Sequence, residues 1–309
     1  MTSAPSLRDA GKVYVEVGLN EVASKDRNAN IPYGPDEVAA DAIACAQAGA
    51  SVIHFHARHG DGTQAWTDDG VYRRAMELIA EEADLVTYPT YPPRVDREER
   101  YRHLWALADE PSTAPLELAP IDIGSRNVSL WEPDKQRFAP LGILPAESQV
   151  ALNPPDEIEW VIARAAERGL HPTLGVFDMT YLRYSIHALW AGLLKPPLLL
   201  KWFLSERWVG GTFPTPAGLD AYLSQVPDGV DHEGLVVPYA MSKADDVETL
   251  WRHGLERGQN IRVGIGDNPE AFATSTNTEL VERAVELIAG YGLRPATADD
   301  VRNRLGLRV

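Results

Sequence analysis

Short apolar runs alternate along the chain with longer stretches in which apolar residues recur at helical spacing. The runs predict eight strands: Val13 to Val17, Val52 to His56, Leu85 to Tyr88, Leu116 to Ile123, Thr173 to Phe177, Leu198 to Leu204, Val236 to Tyr239 and Ile261 to Ile265. The longer stretches predict helices: Pro35 to Gly49, Asp69 to Glu82, Asp156 to Arg168, Tyr181 to Leu194, Pro216 to Leu223, Asp245 to Arg257, Glu279 to Ala289 and Ala298 to Leu305. This alternation predicts the α/β class and a closed (β/α)8 TIM barrel.

The length of the chain agrees with one barrel. A chain of 309 residues lies in the size range of a single (β/α)8 domain. No repeat, low-complexity tract or linker divides it, and the proline-rich segments Tyr91 to Pro93 and Phe213 to Pro216 fall where strand-to-helix loops belong. We therefore expect one domain over residues 1–309.

Composition and charge exclude several classes of function. The formal net charge of -16, without a local cluster of basic residues, argues against a nucleic-acid surface. No apolar run reaches the roughly 18 residues that a membrane span requires, and the N-terminus lacks a basic region followed by an apolar one. The single cysteine, Cys45, has no partner for an internal disulfide and is most simply a core residue. We expect a cytoplasmic protein that acts on small molecules as a homo-oligomer.

The run from Ser51 to Arg58 contains two histidines separated by one residue. On a strand, alternate side chains share a face, so His54 and His56 point the same way. Two imidazoles on one face of a rigid element can bind one divalent metal ion. The alternative is that both are ordinary, partly buried strand residues with satisfied hydrogen bonds.

The eighth predicted strand ends in residues suited to an anion and a proton. Arg262 is followed by two glycines, which let a ligand approach the backbone, and then by Asp267. An ordinary turn explains the Gly-Asp-Asn sequence equally well. Arg58 and Arg207 also lie in predicted loops, although a surface ion pair is the simpler interpretation of any single arginine.

These features together resemble the β-keto acid cleavage enzymes, the family of 3-keto-5-aminohexanoate cleavage enzyme. The matching motifs are Pro35-Asp-Glu-Val, Ala48-Gly-Ala, the HxH-x-Arg strand ending at Arg58, Asp61-Gly62, Glu117-Leu-Ala, Gly124-Ser-x-Asn127 and Arg262-Val-Gly-x-x-Asp-Asn268. The resemblance implies a barrel that binds a divalent metal, usually Zn2+, through two histidines and a glutamate. It also implies conversion of a β-keto acid and acetyl-CoA into acetoacetate and a new acyl-CoA.

The resemblance assigns roles by position. It makes His54 and His56 metal ligands, Arg262 the residue that holds or polarises the substrate, and Asp267 the general base. Thr90 matches a serine of the family and is a further catalytic candidate. If Asp267 does not act as the base, Glu21 is the next candidate.

The chain departs from the family at the third metal ligand. The family glutamate immediately precedes the aspartate, and that position is Gly266 here. Glu16, inside the first predicted strand, and Glu21, in the loop after it, are the replacement candidates, with Glu16 first. The alternative for Glu16 is a strand residue that faces helices or solvent. Gly175 stands where the family often has a glutamate, which favours a neutral or anionic keto acid over a cationic one.

Two other functions stay open at this stage. One is a metal-dependent hydrolase or lyase on the same barrel, although the remaining histidines form no evident ligand set. The other is a binding protein that kept the barrel and lost catalysis, which the glycine at position 266 would permit.

Overall fold

The fold is an eight-stranded parallel barrel surrounded by helices. The computed structural model describes residues 5–93, 96–142 and 149–307. The barrel strands are β1 (Val15–Gly18), β2 (Val52–Phe55), β3 (Val86–Pro89), β4 (Leu118–Asp122), β5 (His171–Val176), β6 (Leu198–Ser205), β7 (His232–Tyr239) and β8 (Asn260–Val263). Their order in the sheet is β3-β2-β1-β8-β7-β6-β5-β4, all parallel, and β4 also contacts β3. The prediction of a (β/α)8 barrel is therefore confirmed.

Nine helices lie in the described part of the chain. They are α1 (Gly34–Ala48), α2 (Asp69–Glu82), α3 (Arg97–Asp109), α4 (Pro155–Glu167), α5 (Met179–Trp190), α6 (Pro216–Leu223), α7 (Ala244–Glu256), α8 (Asn277–Gly290) and α9 (Ala298–Leu305). Eight of them were predicted, with ends that differ by a few residues. None of these described helices is both long enough and apolar enough for a membrane span.

Helix α3 was not predicted. Its first turn is charged, and its buried face includes Arg100 and His103 beside Tyr101, Leu104 and Trp105, so polar residues interrupt the apolar pattern. Asp96 caps this helix by accepting a hydrogen bond from the Glu98 amide, 2.9 Å away. The sequence signal that could have predicted this helix is the acidic N-cap Asp96 followed by Glu98 and Glu99 in the first turn.

Among the described residues, three short strand pairs lie outside the barrel. Lys12–Val13 pairs in parallel with Arg294–Pro295. The segment between β4 and α4 contributes two antiparallel pairs, Arg126–Asn127 with Val150–Ala151 and Leu130–Glu132 with Arg137–Ala139. This excursion follows the carboxyl end of β4, and residues from it line the cavity described below.

Strand register places polar side chains inside the barrel. Glu16 on β1 pairs with Arg262 on β8, and His54 on β2 pairs with Tyr88 on β3. Their apolar neighbours Val17 and Ile53 are fully buried in the hydrophobic core. Because successive strand residues face opposite sides, apolar residues pack beneath the helices while these polar ones face the barrel interior.

Candidate active site

Glu21, His54 and His56 converge at the carboxyl ends of β1 and β2. The Nε2 atom of His54 lies 3.2 Å from one carboxylate oxygen of Glu21, and Nε2 of His56 lies 3.2 Å from the other. All three side chains are buried, and their ligand atoms lie within 4.8 Å of one another. No other such group of histidine, cysteine and acidic residues occurs among the described residues.

The backbone at Glu21 is held in an unusual conformation. Its φ of 41° lies in the left-handed region, which a non-glycine residue adopts at an energetic cost. Arg58 donates hydrogen bonds to the carbonyls of Asn20 and Glu21, and Gln64 donates a longer one to Glu21. Arg58 is therefore a buried residue that holds the Glu21 loop, and it does not belong to a surface ion pair.

Asn20 ties this loop to the histidine strand. Its side-chain oxygen accepts from the His56 amide at 2.8 Å, and its side-chain nitrogen donates to the His56 carbonyl at 3.0 Å. The same nitrogen also donates to the carbonyl of Pro32. These bonds fix the position of Glu21 relative to His56, because Asn20 and Glu21 are adjacent.

The three residues fit a divalent metal. The Nδ1 atom of His54 lies 3.3 Å from the Tyr88 carbonyl, a contact that leaves Nε2 as the ligand atom when Nδ1 carries the proton. Burial lowers the pKa of His54 well below its ordinary value, so the ring is neutral at neutral pH, as metal binding requires. Two imidazoles and one carboxylate are a common protein ligand set for catalytic Zn2+.

Opposing effects act on the pKa of Glu21. Burial favours the protonated form, but the Arg262 guanidinium, together with the adjacent His54 and His56 rings, outweighs it and lowers the pKa of Glu21 well below its ordinary value. The Tyr239 hydroxyl also donates to Glu21 over 3.3 Å. Glu21 is therefore an anionic ligand candidate at neutral pH.

Arg262 forms ion pairs with three carboxylates. Its Nε and Nη2 atoms donate to Asp267 at 2.9 and 2.7 Å, and Nη1 donates to Glu16 at 2.8 Å. Nη2 also donates to Glu21. The sequence predicted a guanidinium that holds a substrate anion, whereas most N–H groups of Arg262 bind side chains of the protein itself.

Glu16 lies beside Arg262 and Tyr88, away from the histidine pair. One of its oxygens accepts from the Tyr88 hydroxyl at 2.7 Å as well as from Arg262. Glu16 is buried inside the barrel, so the alternative of a strand residue facing helices or solvent is wrong. The structure places Glu21, and not Glu16, next to the histidines, because Glu21 lies beyond the end of β1 where the loops converge.

Asp267 is buried behind Arg262. Burial raises its pKa to about 7, although the Arg262 guanidinium opposes this increase. Asp267 does not line the main cavity; it lines an adjoining recess that shares Val22, Trp208 and Tyr239 with it. A carboxylate with a pKa near 7 is suited to accept a proton at neutral pH.

The glycines after β8 accommodate protein backbone rather than a ligand. A Cβ atom at Gly266 would lie 2.6 Å from the Asn20 amide nitrogen and 2.7 Å from the Gly18 carbonyl oxygen. Gly264 has a φ of 153°, and a Cβ there would lie 2.2 Å from the Gly18 carbonyl oxygen. The backbone of residues 18–20 therefore fills the space in which a side chain at position 266 would begin.

A cavity of about 140 Å3, partly open to solvent, lies over these residues. Glu21, His54, His56, Thr90 and Arg262 line it, so it brings together most of the predicted site residues. Further lining residues, which the sequence did not single out, include Tyr91, Arg100, Asp122, Arg126, Phe177, Lys201, Phe203, Trp208 and Tyr239. Arg207 does not line this cavity and instead pairs with Glu270 at 2.6 Å.

Comparison with known proteins identifies relatives of this chain. Residues 12–307 match the family described as beta-keto acid cleavage enzyme. The chain is 26% identical over 297 residues to 3-keto-5-aminohexanoate cleavage enzyme of Fusobacterium nucleatum subsp. nucleatum, covering 92% of this chain and 94% of that protein. It is also 26% identical over 291 residues to 3,5-dioxohexanoate:acetyl-CoA acetone transferase of Paraburkholderia graminis, covering 90% of each.

A solved structure shares the fold at low sequence identity. The apo structure of ObcA superposes with a TM-score of 0.68 and 14% identity, and it covers 90% of this chain. This chain spans 66% of the length of that protein. The family match covers nearly the whole chain, and this protein therefore belongs to the beta-keto acid cleavage enzyme family.

Proposed function

We propose that this chain is a metal-dependent β-keto acid cleavage enzyme that converts a β-keto acid and acetyl-CoA into acetoacetate and a new acyl-CoA. The observation that carries this proposal is the convergence of Glu21, His54 and His56 on the cavity of a chain that belongs to this family. The site lies at the carboxyl ends of the strands, where barrel enzymes have their active sites.

Glu21, His54 and His56 would hold the metal ion, for which Zn2+ is the proposed identity. A divalent ion at this position supplies Lewis-acid chemistry that favours negative charge on carbonyl oxygens of the substrate. Glu21 contributes the third protein ligand, which the sequence pattern of the family places at position 266. The close approach of residues 18–20 to Gly266 leaves no room for a side chain there, which supports the assignment of this role to Glu21.

The overall reaction exchanges two acyl groups. Removal of a proton from the carbon between the carboxylate and the ketone gives a carbanion, which attacks the thioester carbon of acetyl-CoA and displaces the CoA thiolate. The thiolate then attacks the original ketone carbon, the carbon–carbon bond breaks, and the carbanion that is released takes back the proton removed in the first step. The products are acetoacetate, which carries the incoming acetyl group, and the new acyl-CoA.

Asp267 is the proposed base for the first proton transfer. Its pKa of about 7 and its position in the recess next to the cavity support this role. Arg262 holds Asp267 and Glu21 together and offsets the repulsion between them. Thr90 lines the same cavity and is proposed as a hydrogen-bonding contact for the substrate.

Aromatic side chains line the same cavity as the proposed metal ligands and would limit the access of water to the substrate. Phe177 stacks on Phe203 at 4.1 Å between ring centroids, and Trp208 packs edge-on against Tyr239 at 4.7 Å. Limiting water near a carbanion reduces its reprotonation before it attacks the thioester.

The proposal also includes a cytoplasmic location and a homo-oligomeric state. Cell fractionation would test the location, and light scattering would test the oligomeric state.

The experiment that tests the function is a turnover assay with purified, Zn2+-loaded protein. Acetyl-CoA and a panel of β-keto acids that differ in the acyl group are incubated with the enzyme, and acetoacetate and acyl-CoA are quantified by mass spectrometry. Formation of both products in equal amounts supports the proposal. A hydrolase or a lyase would consume the keto acid without acetyl-CoA, and a binding protein would consume nothing.

A further inference from the structure

Lys201 is a buried cation of the cavity that the proposed reaction does not use. It lies on β6, is only 5% exposed and lines the cavity. Its register partner on β5 is Gly175, which in turn pairs with Asp122 on β4. These three residues therefore form one level of the cavity wall, on the part of the barrel formed by β4 to β6.

The ammonium group of Lys201 has few partners. It donates to the Tyr88 hydroxyl at 2.8 Å, and Glu16 is the one carboxylate within 4.0 Å among the described residues, at 3.9 Å. The nearer oxygen of Glu16 already accepts from Tyr88 and Arg262. An ammonium has three donors, so Lys201 retains capacity for a ligand.

The other cations of the cavity have direct carboxylate partners. Arg126 donates to Asp122 at 3.0 Å, and Arg100 donates to Glu157 at 2.8 Å. Arg262 binds three carboxylates, as described above. A buried charge without a close counter-ion is unfavourable, and a bound anion would remove that cost at Lys201.

The geometry separates Lys201 from the proposed metal site by one aromatic ring. The Tyr88 ring stacks on the His54 ring at 4.6 Å, and the Tyr88 hydroxyl binds Lys201. Gly175 has no side chain between Lys201 and the stacked rings of Phe177 and Phe203; a Cβ there would lie 3.1 Å from Phe177 and 2.8 Å from Asp122. A substrate held at the metal site can thus extend past an apolar wall and end at the ammonium.

We propose that Lys201 binds a terminal carboxylate on the acyl part of the substrate, so that the preferred substrates are β-keto acids with a second carboxylate at the far end. The inference rests on the proposed function, because that function assigns the β-keto acid end of the substrate to the metal site. Lys201 thereby determines specificity and takes no part in proton transfer.

A binding measurement tests this proposal separately from catalysis. Calorimetric titration of the Zn2+-loaded protein, without acetyl-CoA, compares two β-keto acids of equal chain length, one ending in a methyl group and one in a carboxylate. We expect the wild type to bind the dicarboxylate about 30-fold or more tightly, because a buried charge pair of this kind contributes on the order of 2 kcal/mol or more. We expect Lys201→Met to lose most of this preference and the exposed-lysine control Lys195→Met to keep it.

Equal binding of the two acids by the wild type overturns the assignment, even if Lys201→Met does not fold. An unchanged preference in a folded Lys201→Met variant overturns it as well. Lys201→Gln, which keeps a donor for Tyr88, provides a second neutral variant if the methionine is poorly tolerated. Turnover of both acids with acetyl-CoA is measured in parallel. If the enzyme turns over both acids but binds them equally, the role of Lys201 is refuted and the proposed function stands. If it prefers the dicarboxylate in binding but forms no acyl-CoA, the proposed function is refuted and the role of Lys201 stands.

Discussion

At the scale of single residues, the site depends on a carboxylate that lies outside any strand. The HxH spacing was enough to predict His54 and His56, because alternation along a strand is a local property. Which of Glu16 and Glu21 lies next to the histidines could not be predicted from spacing, because it depends on where β1 ends and how residues 18–21 turn back towards β2. Asn20, Arg58 and Lys201 act through neighbours that are distant in sequence, so their contacts could not be predicted from spacing.

The metal ligands give the first prediction. Alanine at Glu21, His54 or His56 removes one of three protein ligands, and we expect each variant to lose most of its bound Zn2+. Glu16→Gln should retain the metal, because Glu16 binds Arg262 and Tyr88 instead of the histidine pair. Elemental analysis of dialysed proteins provides the measurement. A Glu21→Ala variant with wild-type zinc content, or loss of zinc in Glu16→Gln, would restore Glu16 as the ligand.

The second prediction concerns the proposed base. Asp267→Asn replaces a carboxylate by an amide that accepts no proton at neutral pH, so exchange of the substrate α-protons with deuterated solvent should fall by about 100-fold or more. Zinc content should be unchanged, because Asp267 contacts Arg262 and no histidine. Proton NMR of the keto acid in deuterium oxide, without acetyl-CoA, follows the exchange. Undiminished exchange would transfer the role to Glu21.

The pH dependence of activity gives the third prediction. Because burial raises the pKa of Asp267 to about 7, the base is protonated below that pH and kcat/KM should rise to a plateau above it.

The same pKa affects the free energy of unfolding in the opposite direction. A carboxyl whose pKa is higher in the folded state stabilises the fold at low pH, and that contribution disappears as the pH rises through about 7. Denaturant unfolding of the wild type and Asp267→Asn from pH 5 to 8 isolates this effect. If the free energy of unfolding changes with pH in the same way for both proteins, Asp267 does not titrate in this range.

At the scale of secondary-structure elements, the apolar pattern predicted the barrel but not all its parts. All eight strands were predicted because buried strands of a parallel barrel are mostly apolar, even though single polar residues such as Glu16 and Lys201 face the barrel interior. Helix α3 was not, since Arg100 and His103 occupy buried positions where the pattern requires apolar residues. The end of β8 was also misinterpreted, because sequence alone does not show that Gly264 and Gly266 lie against the backbone of residues 18–20.

This close approach of β1 and β8 gives the fourth prediction. Gly266→Ala places a methyl group within 2.6 Å of the Asn20 backbone, so we expect destabilisation of about 2 kcal/mol or more. Gly290→Ala is the matched control: Gly290 is the last residue of α8, and a Cβ there meets no atom within 4 Å. The control should be neutral or stabilising by about 0.5 kcal/mol. Denaturant unfolding measures both, and equal stabilities would contradict the packing described here.

At the scale of the whole molecule, the chain is strongly acidic, but several cationic side chains of the barrel lie around the cavity. The net charge of -16 would repel an anionic keto acid, yet Arg100, Arg126, Lys201 and Arg262 all line the cavity. Because carboxylates pair with the three arginines, Lys201 is the cation that we expect to offset this repulsion at the site. The expectation of one domain over residues 1–309 stays a prediction.

The fate of the acetyl group tests the central claim most directly. Acetyl-CoA labelled with carbon-13 at the acetyl carbonyl is incubated with unlabelled β-keto acid and the zinc-loaded enzyme, and the products are analysed by NMR and mass spectrometry. The proposed reaction predicts that the label appears at the ketone carbon of acetoacetate and that the new acyl-CoA is unlabelled. Label recovered only in acetate or unchanged acetyl-CoA, while the keto acid is consumed, would contradict acyl exchange and indicate a hydrolase or lyase instead.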